Sequence, residues 1–218
     1  MNIVLFDLDN TLIKGDSDYQ WGNYLAENNY VDSQLYKKKN DIFYEKYKNG
    51  TLCPKEFALF SYEPLKKYDY KNLISMRKNF FNEKIRPLIL PKAVDLIKSH
   101  KKNNDILAIV TSTNSFISKI SADYFQINNL LASEPEFINN KFTGKLYGEP
   151  CYQEGKVLKV KEWIKDNNHS NYDEIYFYTD SHNDIKLMEF CTKPIAVDPD
   201  SILKDLSIKN NWKIISLR

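Results

Sequence analysis

Three short runs along the chain are apolar at nearly every position: Ile3 to Leu8, broken only by Asp7, then Ile106 to Val110 and Ile175 to Tyr178. A strand buried on both faces of a parallel sheet carries that continuous pattern, whereas a strand with one wet face alternates. Each run stops at polar residues, namely Asp9-Asn10-Thr11, Thr111-Ser112-Thr113-Asn114 and Thr179-Asp180-Ser181. Helical patterns lie between and after them, over 92–100, 115–125, 156–166 and 184–190, and further strands are expected at Ile195 to Val197 and Trp212 to Ile215. This alternation predicts an α/β fold with a doubly wound, Rossmann-like parallel sheet. Sheets of that kind bind ligands outside the carboxyl ends of their strands.

Residues 15–89 break the rhythm. Helices are predicted from 17 to 29, 32 to 48, 54 to 62 and 70 to 85, with Asn49-Gly50 and Tyr68-Asp69 as interruptions, and Ser17-Asp18-Tyr19-Gln20 has capping-box spacing at the first start. The reading is a helical cap over 15–89 inserted into a core formed by 1–14 and 90–218. Asn139-Asn140-Lys141 between Glu136-Phe137-Ile138 and Phe142-Thr143 predicts a small hairpin.

Composition narrows the function classes. Of 218 residues, 42% are hydrophobic and 14% aromatic, which is enough apolar surface to exclude a disordered chain. The 31 basic side chains nearly balance 29 acidic ones, so a dedicated nucleic-acid binder is not expected. Basic and aromatic residues do interleave over Tyr36 to Lys39 and Tyr44 to Lys48, but Asp41 and Glu45 dilute the charge, and the stretch reads as a solvated helix face with a tyrosine-bearing core side. Cys53, Cys151 and Cys191 are too scattered for a disulfide framework or a zinc site. Asp7 interrupts the first apolar run too early for a signal peptide, and no run approaches the roughly 20 residues that span a bilayer. The expected setting is the reducing cytoplasm, with no membrane partner.

Asp7 and Asp9 are two carboxylates two residues apart at the end of a buried strand, where paired anions repel and are costly to desolvate. A divalent cation relieves that repulsion, and Mg²⁺ suits hard oxygen ligands. Asp180 and Asp184 supply further carboxylates from the same side of the sheet. Thr111 and Lys156 add what a phosphoryl group needs, a hydroxyl with nearby amides and a balancing positive charge.

These residues resemble the haloacid dehalogenase superfamily of phosphatases, in motif order and over most of the chain. Asp7-Leu8-Asp9-Asn10-Thr11 matches the DxDxT signature, Thr111 the second-motif hydroxyl, Gly155-Lys156 the third-motif lysine, and Thr179-Asp180-Ser181-His182-Asn183-Asp184 the acidic fourth motif. Gly15-Asp16-Ser17-Asp18 and Ala196-Val197-Asp198-Pro199-Asp200 look like the phosphoserine-phosphatase-like branch, subfamily IB, with a cap of the C1 type. The resemblance implies that Asp7 is the nucleophile and Asp9 the general acid and base. It implies Mg²⁺ held by Asp7, Asp180 and the backbone carbonyl of Asp9, and a phosphoryl group held by Thr111, the Ser112 amide and Lys156. Asp184 would orient Lys156 or a metal-bound water, Asn183 would touch the site from behind, Thr11 would stabilise the turn, and His182 would be neither ligand nor base.

In the cap, Asp16, Asp18, Tyr19 and Trp21 are the candidates for contacting the leaving group, and the acidic pair favours an amine. One feature departs from phosphoserine phosphatases, whose cap arginine grips the substrate carboxylate. Here the corresponding stretch is Phe57 to Tyr62, and no arginine occurs between Met1 and Met76. The expected substrate is a small phosphomonoester, phosphoserine-like or an amino-alcohol phosphate such as histidinol phosphate. Two alternatives stand beside hydrolysis: phosphotransfer to another alcohol through the same residues, and a non-catalytic phosphoacceptor or binding module. The second leaves Asp9 unexplained.

Overall fold

The computed structural model of the chain describes residues 1–169 and 171–218. Its central strand is β1 (Ile3–Phe6), buried at all four positions and flanked in parallel by β2 (Ile106–Asn114) and β5 (Ile175–Thr179). Phe6 pairs with Ile109 on one side and Tyr178 on the other, so the polar residues that follow these three strands emerge on one edge of the sheet. Beyond β2, β3 (Asn129–Ile138) runs parallel and then pairs antiparallel with β4 (Lys141–Tyr147). Beyond β5, the parallel strands β6 (Lys193–Val197) and β7 (Lys213–Ile215) complete the order β4-β3-β2-β1-β5-β6-β7.

Successive side chains of the central strands enter opposite cores, as the two-residue period of a strand requires. Val4, Phe6, Leu107 and Ile109 pack with Ala93, Ile97, Phe116 and Ile117 of α5 (Pro91–Lys102) and α6 (Ser115–Phe125). Ile3, Leu5, Ala108 and Val110 pack with Val160, Leu187 and Leu203 of α7 (Glu154–Asp166), α8 (Ile185–Phe190) and α9 (Ser201–Lys209). Among the described residues no helix is long and apolar enough to cross a membrane.

Between β1 and α5 come α1 (Ser17–Glu27), α2 (Ser33–Lys48), α3 (Pro54–Lys67) and α4 (Tyr70–Phe80), the last continuing into one π-helical turn, Phe81–Ile85. Asp16, Asp32 and Asp69 cap α1, α2 and α4 by accepting the backbone N–H of Tyr19, Leu35 and Asn72. The expected capping residue of α1 was Ser17; the cap is Asp16, because the Ser17 amide is committed to Asp9 and its hydroxyl contacts Thr113. Trp21, Leu25, Ala58, Leu65, Leu73 and Phe80 belong to the same apolar cluster as Phe6 and Ile109, so α1, α3 and α4 share a core with one face of the sheet. By contrast α2 buries only Asn40. The two ends of the insertion pair with each other: Ile13 bridges Ile89, and the Lys14 amide donates to the Leu88 carbonyl at 2.7 Å.

Three local expectations needed correction. The segment Thr111 to Asn114 is not a terminating turn but an irregular continuation of β2, whose register against β3 shifts between Val110 and Asn114. The parallel part of β3, Asn129 to Leu131, and the whole of α9 went unpredicted. The hairpin itself forms where the Asn-Asn pair stands, with φ of 50° at Asn139 and 61° at Asn140, the left-handed pair that a tight type I′ connection demands.

The start of α7 is the tightest backbone approach near the strand ends. A Cβ at Gly155 would stand 2.0 Å from the Pro150 carbonyl oxygen, immediately before Lys156. Gly155→Ala is expected to cost about 1–3 kcal/mol as overpacking, read as a melting point lowered by roughly 2–12 °C. A melting point unchanged within about 2 °C would show that the Pro150 segment yields freely.

Candidate active site

The end of β1 presents Asp7, whose amide is held by the Tyr178 carbonyl at 2.9 Å. The chain then turns sharply through Asn10, at φ 54°, which brings Asp9 and Thr11 back beside the strand ends. The first turn of α7 delivers Lys156, whose side chain is 1% exposed. Its ammonium donates to Asp7 Oδ1 at 2.9 Å and to Asp184 Oδ2 at 2.8 Å. Asp184 also accepts the Thr179 hydroxyl at 2.6 Å, so one carboxylate from the β5 end fixes the lysine while the other contact joins it to Asp7.

Asp9 has a different set of partners. Its Oδ1 accepts the Ser17 backbone N–H at 2.6 Å and its Oδ2 accepts the Thr113 hydroxyl at 2.7 Å. The Thr111 hydroxyl stands farther off, at 3.5 Å from Oδ2. Asp180 Oδ1 accepts the Thr11 hydroxyl at 3.0 Å, and the Asp180 amide donates back to the same hydroxyl at 3.1 Å, which ties the turn after β1 to the end of β5. Asn183 reaches outward: its side-chain amide donates to the Tyr47 carbonyl at the end of α2, and its oxygen accepts the Tyr152 hydroxyl at 2.9 Å. His182 sits behind, with Nδ1 2.9 Å from Asp200 Oδ2.

Burial pushes the Asp7 carboxyl up to about 7 despite the neighbouring Lys156, with Asp184 and Asp9 adding repulsion. Burial likewise raises Asp9, against the Ser17 and Thr113 donors that favour its anion. Asp180 is raised well above the ordinary range by burial and by Asp7. Burial opposes the charge on Lys156, yet Asp184 and Asp7 together hold it above the usual lysine value. Among the described residues, Lys156 is the one cation in ion-pair contact with these aspartates.

A cavity opens beyond Asp7 and Asp9. Thr111, Ser112 and Thr113 form one wall, and Asp16 and Asp18 form another. Aromatic rings close the rest, including Tyr19 and Tyr44, stacked at 4.5 Å between centroids, with Tyr47, Tyr62 and Tyr152. No lysine or arginine is among the described residues of this lining. Burial and Asp9 push Asp16 up to about 7, and burial with Asp16 and Asp9 drives Asp18 higher, against donors from Thr113 and Asn114.

The structure therefore brings Asp7, Asp9, Thr111, Ser112, Asp16, Asp18 and Tyr19 to one cavity, with Lys156, Asp180, Asp184 and Asn183 directly behind it. Trp21 is a correction. It is 1% exposed and packs on Tyr24, Phe80 and Phe116 in the core, because position 21 falls on the apolar face of α1 that Leu25 continues. The sequence reading missed Ser17 and Thr113, the two groups that touch Asp9, and the α2 aromatics Tyr44 and Tyr47. A signal for Thr113 was present, since a hydroxyl two residues beyond Thr111 stays on the same face of an extended strand.

Comparisons with known proteins agree with this geometry. The family described as haloacid dehalogenase-like hydrolase matches residues 4–189. A protein of Neisseria meningitidis serogroup C (strain 8013) named histidinol-phosphatase is 33% identical over 220 residues, covering 100% of this chain and 99% of its own. A crystal structure of a protein of unknown function from Bordetella pertussis Tohama I superposes with a TM-score of 0.94 at 35% identity, covering 100% of this chain and 99% of that one. A phosphoserine phosphatase solved as a phospho-aspartyl intermediate analogue shares the fold, with a TM-score of 0.72 at 17% identity over 100% of this chain and 93% of its own.

Asp16 offers a test of the electrostatics by itself. Its carboxyl, raised from 3.8 to about 7, keeps a proton that the unfolded chain has lost, so the fold loses stability as pH rises through that window. Asp16→Asn keeps an acceptor for the Tyr19 amide and removes the charge. Melting of both proteins should coincide near pH 4, with the variant the more stable at pH 8; equal differences at the two pH values would show that Asp16 ionises normally.

Proposed function

The chain belongs to the haloacid dehalogenase-like hydrolase family, and we propose that it is a phosphomonoesterase working through a phosphorylated Asp7. The observation that carries this reading is the unequal treatment of two carboxylates only two residues apart. Asp7 is paired with the Lys156 ammonium, whereas Asp9 meets only neutral donors. A carboxylate fixed against an ammonium suits nucleophilic attack, and one that meets only neutral donors is free to take up and release a proton in acid and base work.

In the first step an Asp7 oxygen attacks phosphorus, the bond to the leaving alcohol breaks, and Asp9 gives its proton to the departing oxygen. In the second, Asp9 as carboxylate takes a proton from the water that attacks the same phosphorus. The bond between phosphorus and Asp7 then breaks, releasing inorganic phosphate and the free carboxylate. Thr111 and Ser112 line the cavity, where the hydroxyl of the first and the amide of the second would hold the phosphoryl group, and Lys156, held by Asp184, would balance its charge. The inserted helices form a cap over 15–89, whose α1 and α2 close the cavity above a core of 1–14 and 90–218.

The donor set also fits Mg²⁺. Asp7 and Asp180 are mutually repelling carboxylates, and no ion-pair partner is assigned to Asp180 among the described residues. No group of three His, Cys, Asp or Glu side chains arranged for a metal occurs among the described residues, so the ion would be held by two carboxylates, Asp7 and Asp180, together with the Asp9 backbone carbonyl. When bound, the ion supplies charge neutralisation for the phosphoryl oxygens.

The substrate is a small phosphomonoester whose leaving group bears an amine. Asp16 and Asp18 favour a cation, which would stabilise their ionised forms against burial, and the lining offers no lysine or arginine to a carboxylate. The arginines stand elsewhere, as Arg77 does on the Phe116 carbonyl between α4 and α6. An amino-alcohol phosphate such as histidinol phosphate is therefore preferred to phosphoserine, in keeping with the name of the Neisseria relative.

Phosphate release from phosphorylated amino acids, amino alcohols, sugars and nucleotides tests the reading, with Mg²⁺ and after exhaustive chelation. Metal-dependent turnover of an amino-alcohol phosphate is expected, with phosphoserine poorer. Asp7→Asn should abolish it while the fold persists; more than about a hundredth of the rate remaining would remove Asp7 as nucleophile.

A further inference from the structure

The two groups that hold Asp9 come from opposite parts of the molecule and touch each other. Ser17 opens α1, Thr113 lies near the end of β2, and their hydroxyl oxygens are 3.2 Å apart. Both residues are buried, at 1% and 3% exposure. Asp9, Thr113 and Ser17 thus form one cluster, which Asp18 also joins at the Thr113 hydroxyl, and the Asp9 carboxylate is gripped at one oxygen by a backbone amide and at the other by a hydroxyl.

These two partners differ in what they can do. The Ser17 amide only donates, so it fixes Oδ1 in every protonation state of Asp9. The Thr113 hydroxyl can donate to Oδ2 when Asp9 is a carboxylate, or turn its hydrogen to the Ser17 oxygen when Asp9 carries a proton. Thr111, at 3.5 Å, is at the limit of hydrogen bonding and contributes little orientation, and its own oxygen is engaged by the Thr113 amide at 3.2 Å.

Resting on the reading of Asp9 as acid and base, we propose that Thr113 is the positioning residue for Asp9. Its hydroxyl fixes the orientation from which the Asp9 carboxyl faces the scissile oxygen. Thr113 acts through Asp9 and touches no reacting atom itself. The expected consequence depends on the leaving group. An alkoxide needs the proton that Asp9 supplies, whereas p-nitrophenolate departs without one, so loss of aim should matter for the first and far less for the second.

The experiment compares kcat/KM, which reports formation of phosphorylated Asp7, for the best amino-alcohol phosphate and for p-nitrophenyl phosphate. Thr113→Val should lower it on the order of 10- to 100-fold for the alkyl ester. The ratio between the two substrates should shift at least about tenfold toward p-nitrophenyl phosphate, and vanadate inhibition should be unchanged. Thr113→Ser, which restores the hydroxyl, should recover the wild-type ratio. Thr113→Ala carries the same comparison if the valine variant does not fold. Equal losses on both substrates, no loss on either, or failure of serine to restore the ratio would overturn the proposal. Failure of the underlying reading would look different, because Asp9→Asn would then leave the ratio between the two esters at its wild-type value.

Discussion

Everything around the end of β1 answers to one electrostatic constraint. Asp7, Asp9, Asp180 and Asp184 converge on a volume that holds one ammonium group, and the protein divides that ammonium between Asp7 and Asp184. Isolated buried carboxylates would rather keep their protons than remain charged. The remaining aspartates are therefore held by neutral donors: Thr11 for Asp180, and Ser17 with Thr113 for Asp9. Strand order follows from the same need. With β2 and β5 on either side of β1, hydroxyls arrive from one neighbour and carboxylates from the other, while Lys156 comes from the helix beneath.

Much of this was legible in the chain, for a physical reason. Strands buried on both faces must be continuously apolar, so Asp7 within Ile3 to Leu8 stands out as a charge placed where burial makes it costly. The polar ends of the three runs could be read as one edge of a sheet before any neighbour was known. What escaped was decided by tertiary contact. Asn129 to Leu131 becomes strand only because β2 offers an edge, and its short pattern carried no period of its own. Trp21 resembled a cavity residue by its distance along the chain from Asp9, but helical phase turned it into the core. Thr113 looked like part of a loop, and it acquires meaning only through the irregular extension of β2 that aims its hydroxyl at Asp9.

The cavity joins two kinds of surface that rarely share a small site. Its floor is polar and charged, its walls are tyrosine and phenylalanine, and Asp16 and Asp18 lie between them. Such walls exclude water by contact area while their hydroxyls remain available: Tyr19 donates to Asp41 and Tyr152 to Asn183. Among the described residues this lining holds acidic side chains and no lysine or arginine, so a positive group would find partners there and a negative one would not find a counter-ion.

The four inserted helices are not equally attached to the rest of the molecule. Three of them place fully buried apolar side chains in the cluster under the sheet, whereas α2 fully buries one asparagine and is attached through half-buried rings, Tyr36 and Phe43 on Phe60 of α3 and Tyr44 on Tyr19 of α1, and through the Tyr47 carbonyl, which accepts from Asn183. Moving the whole insertion would tear open a hydrophobic core, whereas lifting α2 alone would separate aromatic pairs that are only half-buried. The fold thus grades its attachments, and the helix held by half-buried rings is also the one whose Tyr44 and Tyr47 line the cavity.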